Sequence, residues 1–170
     1  MSQIPEQITR LVCVACGAAY DEGSILYTCT SCGIEGILDV QYSYDRMVGF
    51  REDLKASQDF SIWRYKDLLP ITGRKGLPPL QVGWTPIYEF PNLAKRYGLG
   101  GFRIKDDGRL PTGSFKDRAS AVGTVKAREL GYKIVACSST GNAASSLAGF
   151  CASQGLQAII FVPAQAPEAK

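Results

Sequence analysis

The sequence predicts an α/β fold in which a parallel sheet with flanking helices follows a small module that contains paired cysteines. Four of the six cysteines lie within the first 32 residues, in two closely spaced pairs. From residue 85 onward, short apolar segments alternate with helical patterns, which is typical of a parallel sheet covered by helices. A linker over 71–83, with three glycines and two prolines, separates the two patterns and predicts a domain boundary.

The strand and helix signals of the second half follow the order of an α/β domain. Strands are predicted over 85–90, 101–105, 133–137 and 158–162. Helices are predicted over 91–97, 114–130 and 142–154. Each helix is followed by a glycine, which commonly ends a helix, so the segment 133–162 predicts a βαβ crossover. The earlier pattern is weaker and predicts irregular helices over 44–55 and 62–69, and a strand over 25–28.

This pattern divides the chain into three parts: a cysteine module over 1–40, a helical segment and linker over 41–84, and an α/β domain over 85–170. The predicted sheet has few strands, and the chain stops soon after the last of them. We therefore expect an incomplete domain, the N-terminal part of a larger protein, whose last strand has an exposed edge.

Composition excludes several classes of function. The net charge of +3 is too small to argue for nucleic acid, and no apolar run is long enough to span a membrane. Residues 1–10 carry neither a secretory nor a transit pattern, so we expect a cytoplasmic protein. The sequence has no histidine, so it can build neither a Ser–His or Cys–His nucleophile pair nor a histidine metal site. Proton transfer near neutral pH then requires a lysine, a cysteine, a carboxylate or a cofactor.

The two cysteine pairs share one pattern, Cys-x-x-Cys-Gly, and twelve residues separate them. Four thiolates at this spacing suit a tetrahedral zinc ion, and four protein ligands leave no open position for catalysis. The pattern therefore predicts a structural, zinc-ribbon-like site formed by Cys13, Cys16, Cys29 and Cys32. Two disulfides or four buried free thiols are the alternatives, and the lack of a secretory signal argues against disulfides.

A second motif, Pro-Thr-Gly-Ser-Phe-Lys-Asp-Arg over 111–118, opens a predicted helix and places Lys116 in its first turn. The positive end of the helix dipole disfavours an ammonium there and favours the neutral amine. Such a lysine suits covalent attachment to a carbonyl group. The alternative is a solvated Lys116 that pairs with Asp117.

A third motif, Cys-Ser-Ser-Thr-Gly-Asn-Ala-Ala over 137–144, forms the loop between a strand and a helix of the βαβ unit. Such loops lie at the carboxyl edge of a parallel sheet, where ligands bind. Ser139, Thr140 and Asn142 offer polar groups, and the N–H groups at the helix start favour an anion. An ordinary helix cap is the alternative.

Taken together, the second and third motifs resemble fold-type II pyridoxal-phosphate (PLP) enzymes, in which a similar Ser-Thr-Gly-Asn loop follows the cofactor lysine. Here 142 − 116 = 26 residues separate the lysine from the asparagine. The Lys-Asp-Arg ending is most similar to that of threonine synthases. The resemblance covers roughly 83–163, includes Gly-Trp-Thr-Pro over 83–86, and extends to a cysteine-knuckle extension that some of these enzymes carry.

This resemblance implies a PLP enzyme that converts O-phosphohomoserine and water into threonine and phosphate. It implies that Lys116 carries PLP and moves protons on the substrate, and that Asn142 contacts the ring hydroxyl. Ser139, Thr140 and Asn142 then bind the substrate. The expected partners are a small phosphorylated amino acid and a second subunit in a homodimer, with no nucleic acid and no membrane.

Three departures from the threonine synthase pattern keep other functions open. Leu110 stands where an asparagine is frequent, and Ala143 stands where a threonine is frequent, so a contact to the substrate phosphate is in doubt. The glycine-rich loop that holds the PLP phosphate is not found, and the partner of the pyridine nitrogen is expected beyond Lys170. Alternatives are a dehydratase, a cysteate-synthase-like β-replacement enzyme, or a non-catalytic zinc-ribbon regulatory protein. The 170-residue chain alone is expected to be inactive.

Overall fold

A computed structural model describes residues 8–21, 23–25, 27–73 and 76–166. The chain forms two compact units. The first comprises Met1–Gln58 and Trp63–Arg74, and the second comprises Asp59–Ile62 and Lys75–Lys170. Across the described ranges, no helix has both the length and the apolar character needed to cross a membrane.

The first unit is built on a three-stranded antiparallel sheet that the sequence patterns did not predict. Its strands are β1 (Ile8–Cys13), β2 (Ala19–Tyr20) and β3 (Leu38–Tyr42), in the order β2-β1-β3. The strand predicted over 25–28 is wrong over its described positions, where Thr28 makes only an isolated bridge with Ile37. Leu26 lies outside the described residues. The β1–β3 pairing joins distant residues, such as Leu11 with Val40, and local periodicity carries no signal for it.

The predicted helices of the first half are shorter than the patterns suggested. Helix α1 covers Phe50–Ala56, and short 3-10 segments cover Gly33–Glu35, Tyr44–Arg46 and Ile62–Leu68. Gly49 separates the second of these segments from α1, because its left-handed backbone, with φ of 82°, cannot continue a helix. Trp63 and Ile71 are buried in this unit, and the Tyr42 hydroxyl donates a hydrogen bond to the Leu68 carbonyl at 2.9 Å.

The second unit is an α/β structure and confirms the predicted fold class and the order of its elements. They are β4 (Ile87–Glu89), α2 (Pro91–Arg96), β5 (Arg103–Lys105), α3 (Lys116–Glu129), β6 (Ile134–Ser138), α4 (Asn142–Ser153) and β7 (Gln157–Phe161). Strands β6 and β7 pair in parallel, and α4 connects them and packs on them. The predicted βαβ crossover is therefore present.

One expectation about the sheet is wrong. Strands β4 and β5 pair antiparallel with each other, from Ile87 opposite Lys105 to Glu89 opposite Arg103, and they form a sheet separate from β6–β7. A parallel connection usually needs a helix long enough to return the chain along the strand. Helix α2 has only six residues, or about 9 Å, and the chain reverses over it and the following turn.

Helices α3 and α4 pack against each other through small apolar side chains and a polar seam. Ala121, Val125 and Phe150 are at most 1% exposed. Within the seam, the Ser146 hydroxyl donates to the Ser120 hydroxyl at 2.8 Å. The Gln154 amide donates to the Thr124 hydroxyl at 2.5 Å. The later residue of α3 in these two bonds pairs with the later residue of α4, so α3 and α4 run in the same direction.

Candidate active site and metal centre

Four sulfur atoms converge in the first unit. The Sγ atoms of Cys13, Cys16, Cys29 and Cys32 all lie within 4.8 Å of one another. A tetrahedral zinc ion with Zn–S bonds of about 2.3 Å requires sulfur–sulfur separations of about 3.8 Å. The Cys16 and Cys29 sulfurs are 3.7 Å apart, and all six cysteines of the chain are free thiols rather than disulfides. The donor set therefore fits a tetrahedral thiophilic ion.

Two matching turns present the sulfurs. In each turn, the N–H of a glycine donates to the carbonyl of the first cysteine of the pair, Gly17 to Cys13 and Gly33 to Cys29, both at 2.9 Å. Both glycines have left-handed backbone conformations, with φ of 74° and 58°. An L side chain rarely adopts such φ values, which explains glycine directly after each cysteine pair.

Gly36 is a third glycine of this centre, and the sequence reading missed it. A Cβ atom at Gly36 would lie 2.5 Å from the Cβ of Cys29 and 2.8 Å from the Cβ of Cys32. Its N–H and C=O also take part in turns, with the Cys29 N–H donating to the Gly36 carbonyl at 2.8 Å. The backbone at Gly36 thus forms one wall of the sulfur cluster, and a side chain has no room there.

The thiols of the cluster differ in their electrostatic surroundings. The Tyr20 hydroxyl lies 3.0 Å from the Cys29 sulfur, and this hydrogen bond is the main reason that the pKa of Cys29 falls to about 6. The pKa of Cys32 rises to about 12, first because of its hydrogen bond with Cys16 and then because of burial. The Cys29 sulfur thus lies within hydrogen-bond distance of the Tyr20 hydroxyl, an arrangement that favours its thiolate form.

In the second unit, Lys116 is the first residue of α3 and is half-buried. Its Nζ atom lies 4.6 Å from the centre of the Phe115 ring. Within the described part of the chain, Lys116 forms no ion pair. The alternative in which Lys116 pairs with Asp117 is not the arrangement found, because the Asp117 carboxylate is turned to other partners.

Asp117 closes the loop that precedes the helix. Its side chain is completely buried, and its carboxylate accepts hydrogen bonds from the Thr112 N–H at 2.7 Å and from the Thr112 hydroxyl. Gly113, inside this loop, has a left-handed backbone with φ of 78°. The Thr112 methyl group packs closely on Gly149 of α4, since a Cβ atom added at Gly149 would lie 3.1 Å from it. The segment leading to Lys116 is thus held at both ends.

A second carboxylate holds the other side of this helix start. Arg118 donates to both carboxylate oxygens of Asp107, at 2.8 and 2.7 Å, and the Thr85 hydroxyl also donates to Asp107 at 2.7 Å. The Arg118 guanidinium is the main reason that the pKa of Asp107 falls to about 2, well below the ordinary value of 3.8. This bidentate pair ties the first turn of α3 to the turn after β5.

The third motif forms the loop before α4. Asn142 is the first residue of α4 and is exposed, while Ser139 and Thr140 are half-buried. The Gly141 N–H donates to the Ser139 hydroxyl at 3.2 Å, and the Ser139 N–H donates to the Phe161 carbonyl of β7 at 3.2 Å. The loop therefore lies at the carboxyl ends of β6 and β7, as predicted for a ligand-binding loop.

The polar seam places the two motifs at one end of the helix pair. Ser120 lies one helical turn after Lys116, and Ser146 lies one turn after Asn142. Because these two serines are hydrogen-bonded and the helices run in the same direction, Lys116 and Asn142 begin their helices at the same level. Lys116 and Asn142 are 26 residues apart, and so are Ser120 and Ser146, which agrees with this alignment of the two helices.

Residues 79–170 match the family model of the pyridoxal-phosphate dependent enzymes. The chain belongs to that family. The matched region contains the loops and helix starts of both Lys116 and Asn142.

Among curated proteins, this PLP-family chain is similar to several threonine synthases. The one from Methanocaldococcus jannaschii is 39% identical over 152 residues, which cover 89% of this chain and 37% of that protein. The one from Methanosarcina acetivorans is 41% identical over 155 residues, or 91% of this chain and 37% of that protein. The one from Halalkalibacterium halodurans is 39% identical over 108 residues, or 61% of this chain and 30% of that protein.

The matches to the first two relatives cover more of this chain than the match to the third, and their extra length reaches the unit that contains the sulfur cluster. The chain spans 37% of the length of the first two relatives. A match covering 91% of this chain must begin before Cys29, so the archaeal similarity extends into the first unit.

Within this PLP-family chain, sequence reasoning missed three residues that the structure places beside the candidate sites. Asp117 was read only as a possible partner of Lys116, and Tyr20 and Gly36 were not singled out. Only Gly36 had a usable signal, because it follows a cysteine knuckle closely, but it is one of 18 glycines. The roles of Lys116, Ser139, Thr140, Asn142 and the four cysteines stay predictions.

Proposed function

We propose that this chain is part of a PLP-dependent threonine synthase that converts O-phosphohomoserine and water into threonine and phosphate. The observation that carries the proposal is the placement of Lys116 and Asn142 at the same end of two parallel helices, in motifs of the threonine synthase type. The similarity to threonine synthases over most of the chain supports it.

The side chains at the two helix starts fit a covalently bound cofactor. The Lys116 amine has no ion-pair partner within the described residues, so it is available to bond an aldehyde carbon. The Ser114 hydroxyl, two residues earlier, is buried and has no hydrogen-bond partner among the residues that the structure describes. Asn142 would contact the ring hydroxyl of PLP. When bound, PLP supplies an electron sink for the carbanion at the substrate Cα.

The remaining roles belong to the protein groups. The amine of Lys116 would remove protons from the substrate Cα and Cβ and return protons to Cγ, from which phosphate leaves, and to Cα, while water supplies the hydroxyl at Cβ; a lysine in this role suits a chain without histidine. Ser139, Thr140 and the N–H groups at the start of α4 would hold the substrate carboxylate. Asp117 and Arg118 would keep the lysine in place through their bonds to Thr112 and Asp107.

We also propose that Cys13, Cys16, Cys29 and Cys32 bind one structural zinc ion. The sulfur separations support this, and four thiolates leave no position open for substrate. Zinc analysis of the purified protein is expected to give about one zinc per chain. Absence of zinc, together with rapid alkylation of Cys13 and Cys29 in the native protein, would contradict this proposal.

A related PLP reaction is the second candidate, and Ala143 favours it. Ala143 directly follows Asn142 and is half-buried, and its methyl group offers no hydrogen bond to a substrate phosphate. A dehydratase whose substrate carries no phosphate does not need this contact, and a cysteate-synthase-like β-replacement enzyme would act on a substrate other than O-phosphohomoserine. Phosphate release from O-phosphohomoserine separates the candidates, since only the threonine synthase carries out that reaction.

Labelling of the full-length protein tests the cofactor assignment. Borohydride reduction in the presence of PLP, followed by peptide mapping, is expected to attach the cofactor to Lys116. Lys116→Ala should lose the cofactor absorbance and the phosphate release, while Lys126→Ala, in the same helix, should keep both. Labelling of another lysine would show that the site is misplaced.

Several further properties belong to the same proposal. We expect the enzyme to be a cytoplasmic homodimer of fold type II, with the three-part division at residues 40 and 84. The 170-residue chain alone should release PLP on dialysis, because the sequence holds no glycine-rich loop for the cofactor phosphate. Retained PLP together with phosphate release by this chain alone would contradict that expectation.

A further inference from the structure

The hydroxyl group of Tyr20 lies directly against the sulfur cluster. It is 3.0 Å from the Cys29 sulfur and 3.2 Å from the Thr30 hydroxyl. Tyr20 belongs to the two-residue strand β2, which pairs with β1 through Tyr20 and Leu11. The strand therefore fixes the position of the phenol ring from outside the two cysteine turns.

The hydrogen-bond pattern determines which way the hydroxyl proton points. The Thr30 N–H donates to the Tyr20 oxygen at 3.3 Å, so that oxygen already accepts one bond. The Tyr20 proton is then available for either the Cys29 sulfur or the Thr30 hydroxyl. A thiolate accepts hydrogen bonds and donates none, whereas the Thr30 hydroxyl can turn its own proton toward the Tyr20 oxygen. With a thiolate at Cys29, the Tyr20 O–H group therefore donates its hydrogen bond to the Cys29 sulfur.

The need for such a donor follows from charge and burial. One divalent ion and four thiolates carry a net charge of 4 − 2 = 2 negative units, which is costly to remove from water. Cys29 is only 1% exposed, so water has little access to its sulfur, whereas Cys16 is exposed. A protein hydroxyl next to Cys29 takes the place that water occupies at an exposed thiolate.

We propose that Tyr20 is an outer-shell positioning residue of the metal centre, whose O–H group donates a hydrogen bond to the metal-bound thiolate of Cys29. This inference rests on the metal site proposed above. The Tyr20 hydroxyl orients the Cys29 sulfur, reduces its negative charge, and joins β2 to the second cysteine turn through Thr30. Removal of such outer-shell partners typically lowers metal affinity about 10- to 100-fold.

Metal binding by the full protein tests the proposal with Co²⁺ and Zn²⁺ as the probes. Tyr20→Phe keeps the ring and removes the hydroxyl. We expect this variant to bind Zn²⁺ about 10- to 100-fold more weakly. We also expect its sulfur-to-cobalt charge-transfer band to move to lower energy, because a thiolate without its donor is richer in electrons. Tyr27→Phe is the matched control, since Tyr27 is 78% exposed and lies in the same module.

Two further variants keep the test informative if Tyr20→Phe folds poorly. Thr30→Ala removes the other hydroxyl beside Tyr20 but leaves the Tyr20–Cys29 bond, so its cobalt band should match that of the unmodified protein. Replacement of Tyr20 by 3-fluorotyrosine keeps the ring and strengthens the donor, so its band should move to higher energy.

Different outcomes identify which proposal fails. Equal affinity and an unchanged cobalt band for Tyr20→Phe, or an unchanged band for the 3-fluorotyrosine protein, would overturn the role of Tyr20 alone. An unmodified protein that shows no sulfur-to-cobalt band at all would overturn the metal site itself.

Discussion

The four-cysteine module, residues 8–42, and the α3–α4 helix pair are stabilised by different means. Among the described residues of the module, the buried apolar side chains are those of Ile8, Cys13 and Cys29, while Ile34 is 88% exposed and Ile37 is 64% exposed. The helix pair instead encloses a small apolar core beside the hydrogen-bonded side chains of its polar seam. A segment of this size with so little buried apolar surface usually requires a metal or disulfides. The comparison predicts that changes at the sulfur cluster unfold the module, whereas changes in the helix pair cost one or two interactions.

The largest effect is expected from loss of one metal ligand. Cys29→Ala removes a buried thiol that we propose to be a zinc ligand, and binding of structural zinc contributes roughly 10 to 16 kcal/mol in small zinc-binding peptides. We expect this variant to lose its zinc and residues 8–42 to exchange their amide hydrogens rapidly, while α3 and α4 keep their protection.

Cys137→Ala is the control for this experiment, because Cys137 is a half-buried thiol of β6 outside the cluster. It should keep both zinc and protection. Slow exchange of residues 8–42 in zinc-free Cys29→Ala would show that the module folds without metal.

A smaller but substantial effect is expected from Asp117→Ala in the helix pair. Asp117 is completely buried and accepts two hydrogen bonds from Thr112, and bonds to a charged group contribute about 1.5 to 3 kcal/mol each. We expect the free energy of unfolding, measured with denaturant, to fall by about 3 kcal/mol or more. Asp117→Asn keeps the shape and can still accept the Thr112 N–H bond, so it should lose less. Equal losses for both variants would show that the shape and the neutral acceptor contribute nothing, and that the carboxylate charge accounts for the whole effect.

How well each region could be predicted from the sequence follows from the range of its interactions. The limits of α3, α4, β6 and β7 were predicted to within a few residues, because helical periodicity and glycines such as Gly131 and Gly155 act locally. The pairing of β1 with β3 was missed because it joins residues about thirty positions apart, as with Leu11 and Val40. The antiparallel β4–β5 pair was missed because it depends on the short length of α2.

The residues of the candidate sites divide in the same way, into those with a local sequence pattern and those that act through contacts between distant residues. The cysteine pairs could be recognised by their spacing, and Lys116 and Asn142 by their motifs. Tyr20 and Asp117 could not, because each acts through a contact that exists only after the chain has folded. Neither Tyr20 to Cys29 nor Asp117 to Thr112 follows from the spacing of a known motif.

An intermediate effect is expected at Gly36 in the four-cysteine module, from a substitution that adds a single methyl group. The added Cβ would meet the Cβ atoms of Cys29 and Cys32 at 2.5 and 2.8 Å. Overpacking of this kind typically costs about 1 to 3 kcal/mol, and here the neighbours are also the proposed zinc ligands, which metal binding would hold in place. We expect Gly36→Ala to lower zinc affinity and thermal stability. Gly73→Ala, whose added Cβ would have no described atom within 4 Å apart from its chain neighbours, should leave zinc affinity unchanged.

The smallest effect is expected at the Arg118–Asp107 ion pair, which can be compared with an exposed pair of the same length. Side-chain exposure is 31% for Arg118 and 22% for Asp107, and their shortest separation is 2.7 Å. The Arg103–Glu89 pair has a separation of 2.8 Å, but its side chains are 71% and 66% exposed. Exposed pairs contribute little, since water and salt screen them, so only the first pair is expected to affect stability measurably.

The pH dependence of unfolding tests this last expectation. The pKa of Asp107 is about 2 in the folded chain, below the ordinary 3.8, so its contribution is complete above about pH 4. The contribution is lost as the pH falls from 4 through 2, because the unfolded chain takes up the proton first. After allowance for solvent screening, we expect Asp107→Asn to lower the free energy of unfolding by about 1 kcal/mol at neutral pH. This difference from the unmodified protein should shrink below pH 4 and disappear near pH 2, while Glu89→Gln should change little at any pH. A difference for Asp107→Asn that stays constant down to pH 2 would mean that Asp107 acts through its hydrogen bonds and shape, and that its charge contributes nothing.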